Sequence, residues 1–298
     1  MTTAPSTEMD LTVIIPTAGY SSRGESIFRA IESVLSLEGV RAKPCVVLNG
    51  VNYAEELRSK LETHEEIDFH YIPEGDLTKA IYFGRQCVRT PYFSFLDDDD
   101  EYTSSAFVNR FKQMELDQGV DVAVANGYRA SVTGVRHLIF KDFTRNAECP
   151  LSGLTRGNWL ASCGGMYRSR TVREDYFVDI SKYFEWTWLA IRLSLECSVS
   201  FFDEPAFVVN DTADSLSKSA SYELKEVDFL LRVLNEVPVP GFFKRHLRRK
   251  LAAKHIGFAN RALANGQRVA ALRHYVNCLM VGRAGLPYLL WARKVLLP

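Results

Sequence analysis

The chain has 298 residues, 47% apolar and 24% charged, with 36 Lys+Arg balancing 36 Asp+Glu. That composition belongs to an ordinary globular protein and excludes a disordered tail or a collagen-like fibre. No run approaches the roughly 20 apolar residues of a membrane-spanning helix. The zero net charge conceals a division: residues 1–243 carry all 36 acids against 24 cations, whereas 244–298 carry 12 cations and no acid.

In chain order, Leu11–Ile15 is a β-branched run stopped by Pro16, which predicts a buried strand. A helix follows over 24–37, with Ile27, Phe28, Ile31, Val34 and Leu35 at helical spacing. Cys45–Leu48 reads as a second strand, closed by the turn pair Asn49-Gly50. Then come a helix at 55–61, a strand at 68–72, a helix at 77–88 with Gly84 inside it, and a strand at 92–96. That strand runs into Asp97-Asp98-Asp99-Asp100, followed by a helix near 103–116 and a strand at 120–125. Such alternation predicts an α/β fold with a doubly wound, mainly parallel sheet and helices on both faces. Ligands then gather at the carboxyl ends of the strands, here Pro16-Thr17, Asn49-Gly50 and the aspartates.

Beyond 125 the pattern changes to a hairpin over 126–142, a loop-rich passage to 162, a helix at 183–196 and a strand near 198–202. Residues 210–221 read as a mobile loop, and everything from 222 as helical. Leu247, Leu251, Ile256, Ala259 and Leu263 line one predicted helix face, and Val269, Leu272, Val276 and Leu279 the next. With Gly266 between them, 244–281 resembles an αα-hairpin. The expected division is a catalytic domain over 1–221, with halves at about 10–125 and 126–221, and a helical extension over 222–298. Six separated cysteines without a CxxC pair, and an N-terminus lacking a basic start and apolar run, predict a cytoplasmic protein with reduced thiols, neither a disulfide frame nor a zinc site.

Four consecutive carboxylates repel at neutral pH, and alternating side chains let Asp97 and Asp99 converge while Asp98 points elsewhere. An acidic turn capping the next helix is the plain reading. Placement directly after a buried strand favours a hard divalent cation that holds a diphosphate.

The segments Val13–Thr17, Val46–Gly50 and Pro91–Tyr102 together resemble the family 2 glycosyltransferases of GT-A fold, the last carrying that family's Asp-x-Asp motif. The resemblance covers roughly residues 10–220. It implies a nucleotide-sugar donor (UDP favoured), a Mn²⁺ or Mg²⁺ ion, and a role in cell-surface polysaccharide synthesis. Carried over by position, Pro16, Thr17 and Ala18 would line the base, with Tyr20 supplying stacking, and Asn49 would meet its polar edge. Asp98 would touch the ribose, Asp97 and Asp99 would hold metal and diphosphate, and Lys79 or Arg85 would face phosphate. Glu185, before Trp186 and Trp188, would be the general base of an inverting transfer, with Asp179 in reserve. A first-turn carboxylate is equally what a helix dipole favours. Gly164, Gly165 and Trp186 would lie against a glycan or lipid-linked acceptor, or else form a tight turn and core. A family loop that often offers His to the metal here offers only Asp211 or Asp214.

Two rival functions stand beside the transferase: a non-catalytic nucleotide- or glycan-binding protein, and a nucleotidyltransferase gripping a triphosphate with Tyr20–Gly24. The acid-free segment 244–298 sets Trp, Tyr and Leu among cations. It predicts either packing on the acidic body or peripheral attachment to an anionic membrane. Nucleic acid is not expected, because no recognition motif accompanies the charge.

Overall fold

Seven buried residues, Leu11–Thr17, form β1, the strand from which the sheet is ordered. The structure is a computed structural model, and it describes residues 10–131, 133–210 and 220–292. The chain divides into two compact units, 1–215 and 216–298.

In the first unit β1 lies between β2 (Ala42–Asn49) and β4 (Tyr92–Phe95), and β3 (Asp68–Ile72) flanks β2, all parallel. Side chains alternate across β1. Leu11, Val13 and Ile15 join the core beneath α1 (Gly24–Leu35), while Ile14 meets α3 (Leu77–Cys87) on the other face. A strand apolar on both faces needs both faces covered, as the continuous run requires. Helix α2 (Glu55–Glu62) connects β2 to β3. Pro16 does not stop β1 as expected. Its missing N–H falls beyond the last bond to the β4 side, Leu96 N–H to the Ile14 carbonyl, so no ladder bond is lost.

The sheet continues with antiparallel strands. Its order is β3-β2-β1-β4-β8-β6-β9-β5, with β7 (Arg136–Leu138) hairpinned onto β6 (Val122–Ala130). Strand β8 (Gly165–Arg168) runs antiparallel between β4 and β6, while the twelve-residue β9 (Val199–Asn210) lies parallel to β6. Glu101–Tyr102 form β5, an unexpected short strand paired with β9. That pairing, with the Thr103 N–H on the Ala206 carbonyl, holds the chain extended, so α4 starts only at Val108 and ends at Leu116. After α5 (Pro150–Gly153), helix α6 spans Glu185–Glu196.

Three arginines lie almost wholly inside this unit: Arg85, Arg110 and Arg168. None has an ion-pair partner among the described residues; their donors go mainly to backbone carbonyls, Arg168 donating also to Tyr92 Oη and Gln118 Oε1. Arg85 bonds the Ser169 and Val172 carbonyls, Arg110 those of Ala106 and Gly164, and Arg168 those of Val120, Met114 and Asp117. Burial lowers the pKa of Arg110 to about 10, still leaving it charged at neutral pH. Arg85 is therefore a structural cation, not the phosphate ligand suggested by its place on the helix.

The second unit contains α7 (Ala220–Glu236), α8 (Gly241–Ala264), α9 (Arg268–Met280) and a 3₁₀ segment to Ala292. Gly266, at φ +73°, makes the turn between α8 and α9. Small residues bring those helices together, with Ala252, Ala259 and Ala262 against Ala271, Tyr275 and Cys278. Trp291 stacks on Tyr275 at 5.2 Å and donates to Asn260. This reverses the expected face of α9. Val269, Leu272 and Val276 are exposed by 85%, 46% and 45%, because the apolar residues encircle the helix and the Ala–Tyr–Cys side permits the closer approach. No helix among the described residues is long and apolar enough to cross a membrane.

Gly84 explains how α3 lies flat on the sheet. A β-carbon there would stand 2.4 Å from Ile14 Cγ2 and 3.3 Å from Val47 Cγ2. Gly84→Ala should therefore destabilise the protein by about 1–3 kcal/mol through overpacking, outweighing the roughly 1 kcal/mol that alanine adds to a helix. A lower urea midpoint at unchanged slope is the expected reading.

Candidate active site

The carboxyl ends of β1, β2 and β4 converge on one loop cluster. Thr17 is 2% exposed, and its hydroxyl donates to Asp98 at 2.6 Å while accepting the Gly19 N–H at 3.0 Å. The Asn49 side-chain amide donates to the Thr17 carbonyl at 2.8 Å, leaving its oxygen outside that bond. Pro16 is buried and Ala18 half-buried beside them, and Tyr20 is exposed. Gly19, at φ +67°, is pressed against Leu48 and Tyr53, and its carbonyl accepts the Ala54 N–H. Tyr53, which carried no signal in the sequence, thus sits against the same loop. It is held by Arg58 at 2.5 Å and by an edge contact with Tyr71.

The aspartates occupy four different environments. Asp97 accepts from Ser162 Oγ at 2.7 Å. Burial, followed by the charges of Asp99, Asp98 and Glu185, pushes its pKa up to about 7. Asp98, held by Thr17, also bonds Arg23 at 3.3 Å; burial raises its pKa, with Thr17 and Arg23 opposing. Asp99 forms an ion pair with the same guanidinium. Asp100 is buried and accepts the Asn210 N–H at 3.0 Å, and burial with its neighbours' charges holds its carboxyl far above the usual range. The fourth aspartate therefore anchors the end of β9, and Asn210 reinforces the anchor with a 2.7 Å bond to the Asp99 carbonyl. Asp211 and Asp214, the alternative metal ligands, lie outside the described residues.

Arg23 stands in a 3₁₀ turn over 21–23, immediately before α1. It is the one cation paired with the aspartates among the described residues. In the sequence it was visible only as part of the weak Tyr20–Gly24 phosphate grip.

Glu185 opens α6 and is 7% exposed, accepting the Tyr183 N–H at 2.9 Å. The approach to it is strained, with Asp179 and Tyr183 at φ +51° and +69°. Burial raises the Glu185 pKa. Lys182 bonds Asp76 at 3.2 Å, and Asp76 caps α3 through Thr78, so the start of α6 is tied to the start of α3. The exposed Asp179 lies on this approach.

Lys79 projects from α3, exposed, 3.7 Å from Glu74. Trp186 is half-buried, edge-on to Phe95 at 5.2 Å. Gly164 and Gly165 are buried at the entry to β8: the Gly164 carbonyl accepts from Arg110, the Gly165 carbonyl from Ser94, and the Tyr167 ring fills the space at Gly165. From that segment Ser162 reaches Asp97, and the Cys163 thiol lies 3.9 Å from Asp100.

A parallel α/β half continuing into an antiparallel half, with clustered acids at the strand ends between them, is the architecture of a GT-A glycosyltransferase. Residues 12–165 match the family model described as glycosyl transferase family 2, and the chain belongs to that family. No curated protein matches it in sequence. Among solved structures, it is similar to S. aureus TarS 1–349 in complex with UDP-GlcNAc, with a TM-score of 0.64, 12% identity, and coverage of 92% of this chain and 81% of that one. The UDP complex of the same fragment gives 0.61 at 13%, again over 92% and 81%. A further TarS structure gives 0.60 at 13%, covering 92% of this chain and 49% of that one. At those identities the likeness establishes the fold.

Proposed function

We propose that the protein transfers a sugar from a nucleoside-diphosphate donor, UDP-linked by preference, to a glycan or lipid-linked acceptor with inversion. The observation that carries the reading is the gathering of Asp97, Asp98 and Asp99 with Thr17, Arg23 and Ser162 at the carboxyl ends of β1 and β4. The buried Glu185, first residue of α6, is the candidate base. The similar TarS structures hold UDP-GlcNAc and UDP, which supports the donor class. A grip on a triphosphate by Tyr20–Gly24 is less favoured, since Arg23 of that segment is turned onto Asp98 and Asp99.

A divalent ion suits these residues: the carboxylates crowd together with one paired cation, and their oxygens are the hard donors that Mn²⁺ and Mg²⁺ prefer. Asp97 and Asp99 would hold it. When bound, it supplies positive charge to the departing diphosphate. The remaining work falls to the chain. Thr17, Asn49 and Gly19 fix the loop that would hold the base, and Ser162 orients Asp97. Glu185 takes the acceptor hydroxyl proton as that oxygen attacks the anomeric carbon, and its raised pKa brings its basicity closer to the neutral range.

The second unit bears on the acceptor. Val269, Leu272, Val276 and Met280 form an exposed apolar stripe along α9, with Arg268 and Arg273 on the same helix. Lys250 and Lys254 pair with Glu226, and Arg261 with Glu223, but no ion pair is formed by Arg245, Arg248, Arg249, Arg268, Arg273 or Arg283 among the described residues. An apolar stripe beside unneutralised cations suits an anionic lipid surface, each cation contributing on the order of 1 kcal/mol. Attachment there, on the cytoplasmic face, would bring the enzyme to a lipid-linked acceptor.

Three outcomes test this reading. In titrations of UDP followed by calorimetry, Asp99→Ala should bind equally with and without Mn²⁺ and show no transfer; retained metal dependence would move the ion elsewhere. Glu185→Gln should keep donor binding but lose roughly 10²–10⁴-fold in kcat. In the wild type, kcat should rise with pH through a limb above the ordinary carboxylate range, because the base works ionised and its pKa is raised; the variant should lack that limb. For attachment, the full chain should co-sediment with vesicles containing anionic lipid, less so in high salt, and Val276→Glu should abolish the effect. A protein that ignores anionic vesicles at low salt has no such surface.

A further inference from the structure

Cys45, His70 and Cys87 come from three different elements, and one ligand atom from each lies within 4.8 Å of the other two. The topology explains the meeting. In the parallel pair β2–β3, His70 is in register with Val47 and Asp68 with Cys45, so His70 is the diagonal neighbour of Cys45 on the face covered by α3. Helix α3 lies close on that face at Gly84, which brings its last residue, Cys87, down beside Cys45. Phe83 meets the His70 ring edge-on at 5.6 Å, and the imidazole makes no hydrogen bond among the described residues.

The chemistry of the trio is specific. Two thiols and an imidazole are soft-to-borderline donors, suited to Zn²⁺ and unlike the oxygens that suit Mn²⁺ or Mg²⁺. Around a tetrahedral zinc, sulfur and nitrogen ligands stand about 3.5–3.8 Å apart, so closure needs side-chain movement on the order of 1 Å. Cys45 is buried, but His70 and Cys87 are half-buried, leaving one side open for entry and for water as fourth ligand. The cluster adjoins the end of α3, whereas Asp76, tied to the start of α6, caps the helix's beginning about 15 Å away at 1.5 Å per residue.

We propose that Cys45, His70 and Cys87 form a binding site for a thiophilic divalent ion of the Zn²⁺ class, separate from the aspartate site and pinning β2, β3 and the end of α3 together. Binding exchanges the thiol protons for the metal, with no change of oxidation state.

The test uses the full-length, reduced, chelator-treated protein and Co²⁺ as an optical probe. One equivalent of Co²⁺ should give thiolate-to-metal charge-transfer absorption, and one equivalent of Zn²⁺ should bleach it and shield two thiols from a thiol reagent. Cys87→Ser and His70→Gln should each weaken Zn²⁺ binding at least tenfold while leaving donor hydrolysis unchanged, and Asp99→Ala should leave the cobalt spectrum intact. A spectrum without sulfur bands, Zn²⁺ held equally by Cys87→Ser, or loss of the bands in Asp99→Ala would each overturn the proposal. Should a variant fail to fold, the wild-type spectrum and thiol count decide alone.

Discussion

Carboxylates forced together at the end of a buried strand are the constraint around which the catalytic unit is organised. Left to themselves, Asp97–Asp100 would separate or take up protons. Each is instead held by a partner remote from it in the chain. Ser162 holds Asp97, Thr17 and Arg23 hold Asp98, Arg23 pairs with Asp99, and Asn210 with the buried end of β9 fixes Asp100. The four partners come from the first loop, the entry to β8 and the end of β9. The mixed sheet is what brings those places together, because β4 is flanked by β1 on one side and β8 on the other. A site of crowded like charges gains most from an incoming cation.

Much of the frame was legible in the sequence because its signals are local. The strands at 11–17, 42–49, 68–72 and 92–95 are short apolar runs bounded by turns, and the helices between them keep a single period. The aspartate run is legible for the same reason. Its partners were not: Ser162 is 65 residues from Asp97, Arg23 is 75 from Asp98, and Asn210 is 111 from Asp99. Ser, Arg and Asn at those positions have no periodicity or spacing to announce them. The same limit hid the bonding of Arg85, Arg110 and Arg168, each satisfied by carbonyls of remote segments. Helix α9 was misread for another reason. Apolar residues surround it, so pattern alone offered two faces, and the smaller side chains decided which one packs.

Charge is apportioned between the two units as unevenly as chemistry is. The first unit concentrates acids at the end of β4. The helical unit meets its few acids on α7 with Lys250, Lys254 and Arg261 and leaves much of its positive charge unanswered, beside an apolar stripe that its own core does not use. Uncompensated charge of that kind costs stability through self-repulsion.

Arg168 has a consequence for how the catalytic unit assembles. Standing in β8, it reaches the Met114 and Asp117 carbonyls at the end of α4 and the Val120 carbonyl just before β6. Those carbonyls belong to the parallel half, yet their donor arrives some fifty residues later in the chain. Strand β8 also supplies the neighbour that β4 requires on its open side. A fragment ending near residue 125 would thus expose a sheet edge and leave the end of α4 without its arginine. A chain ending before residue 168 would leave the end of α4 and the open side of β4 without these partners.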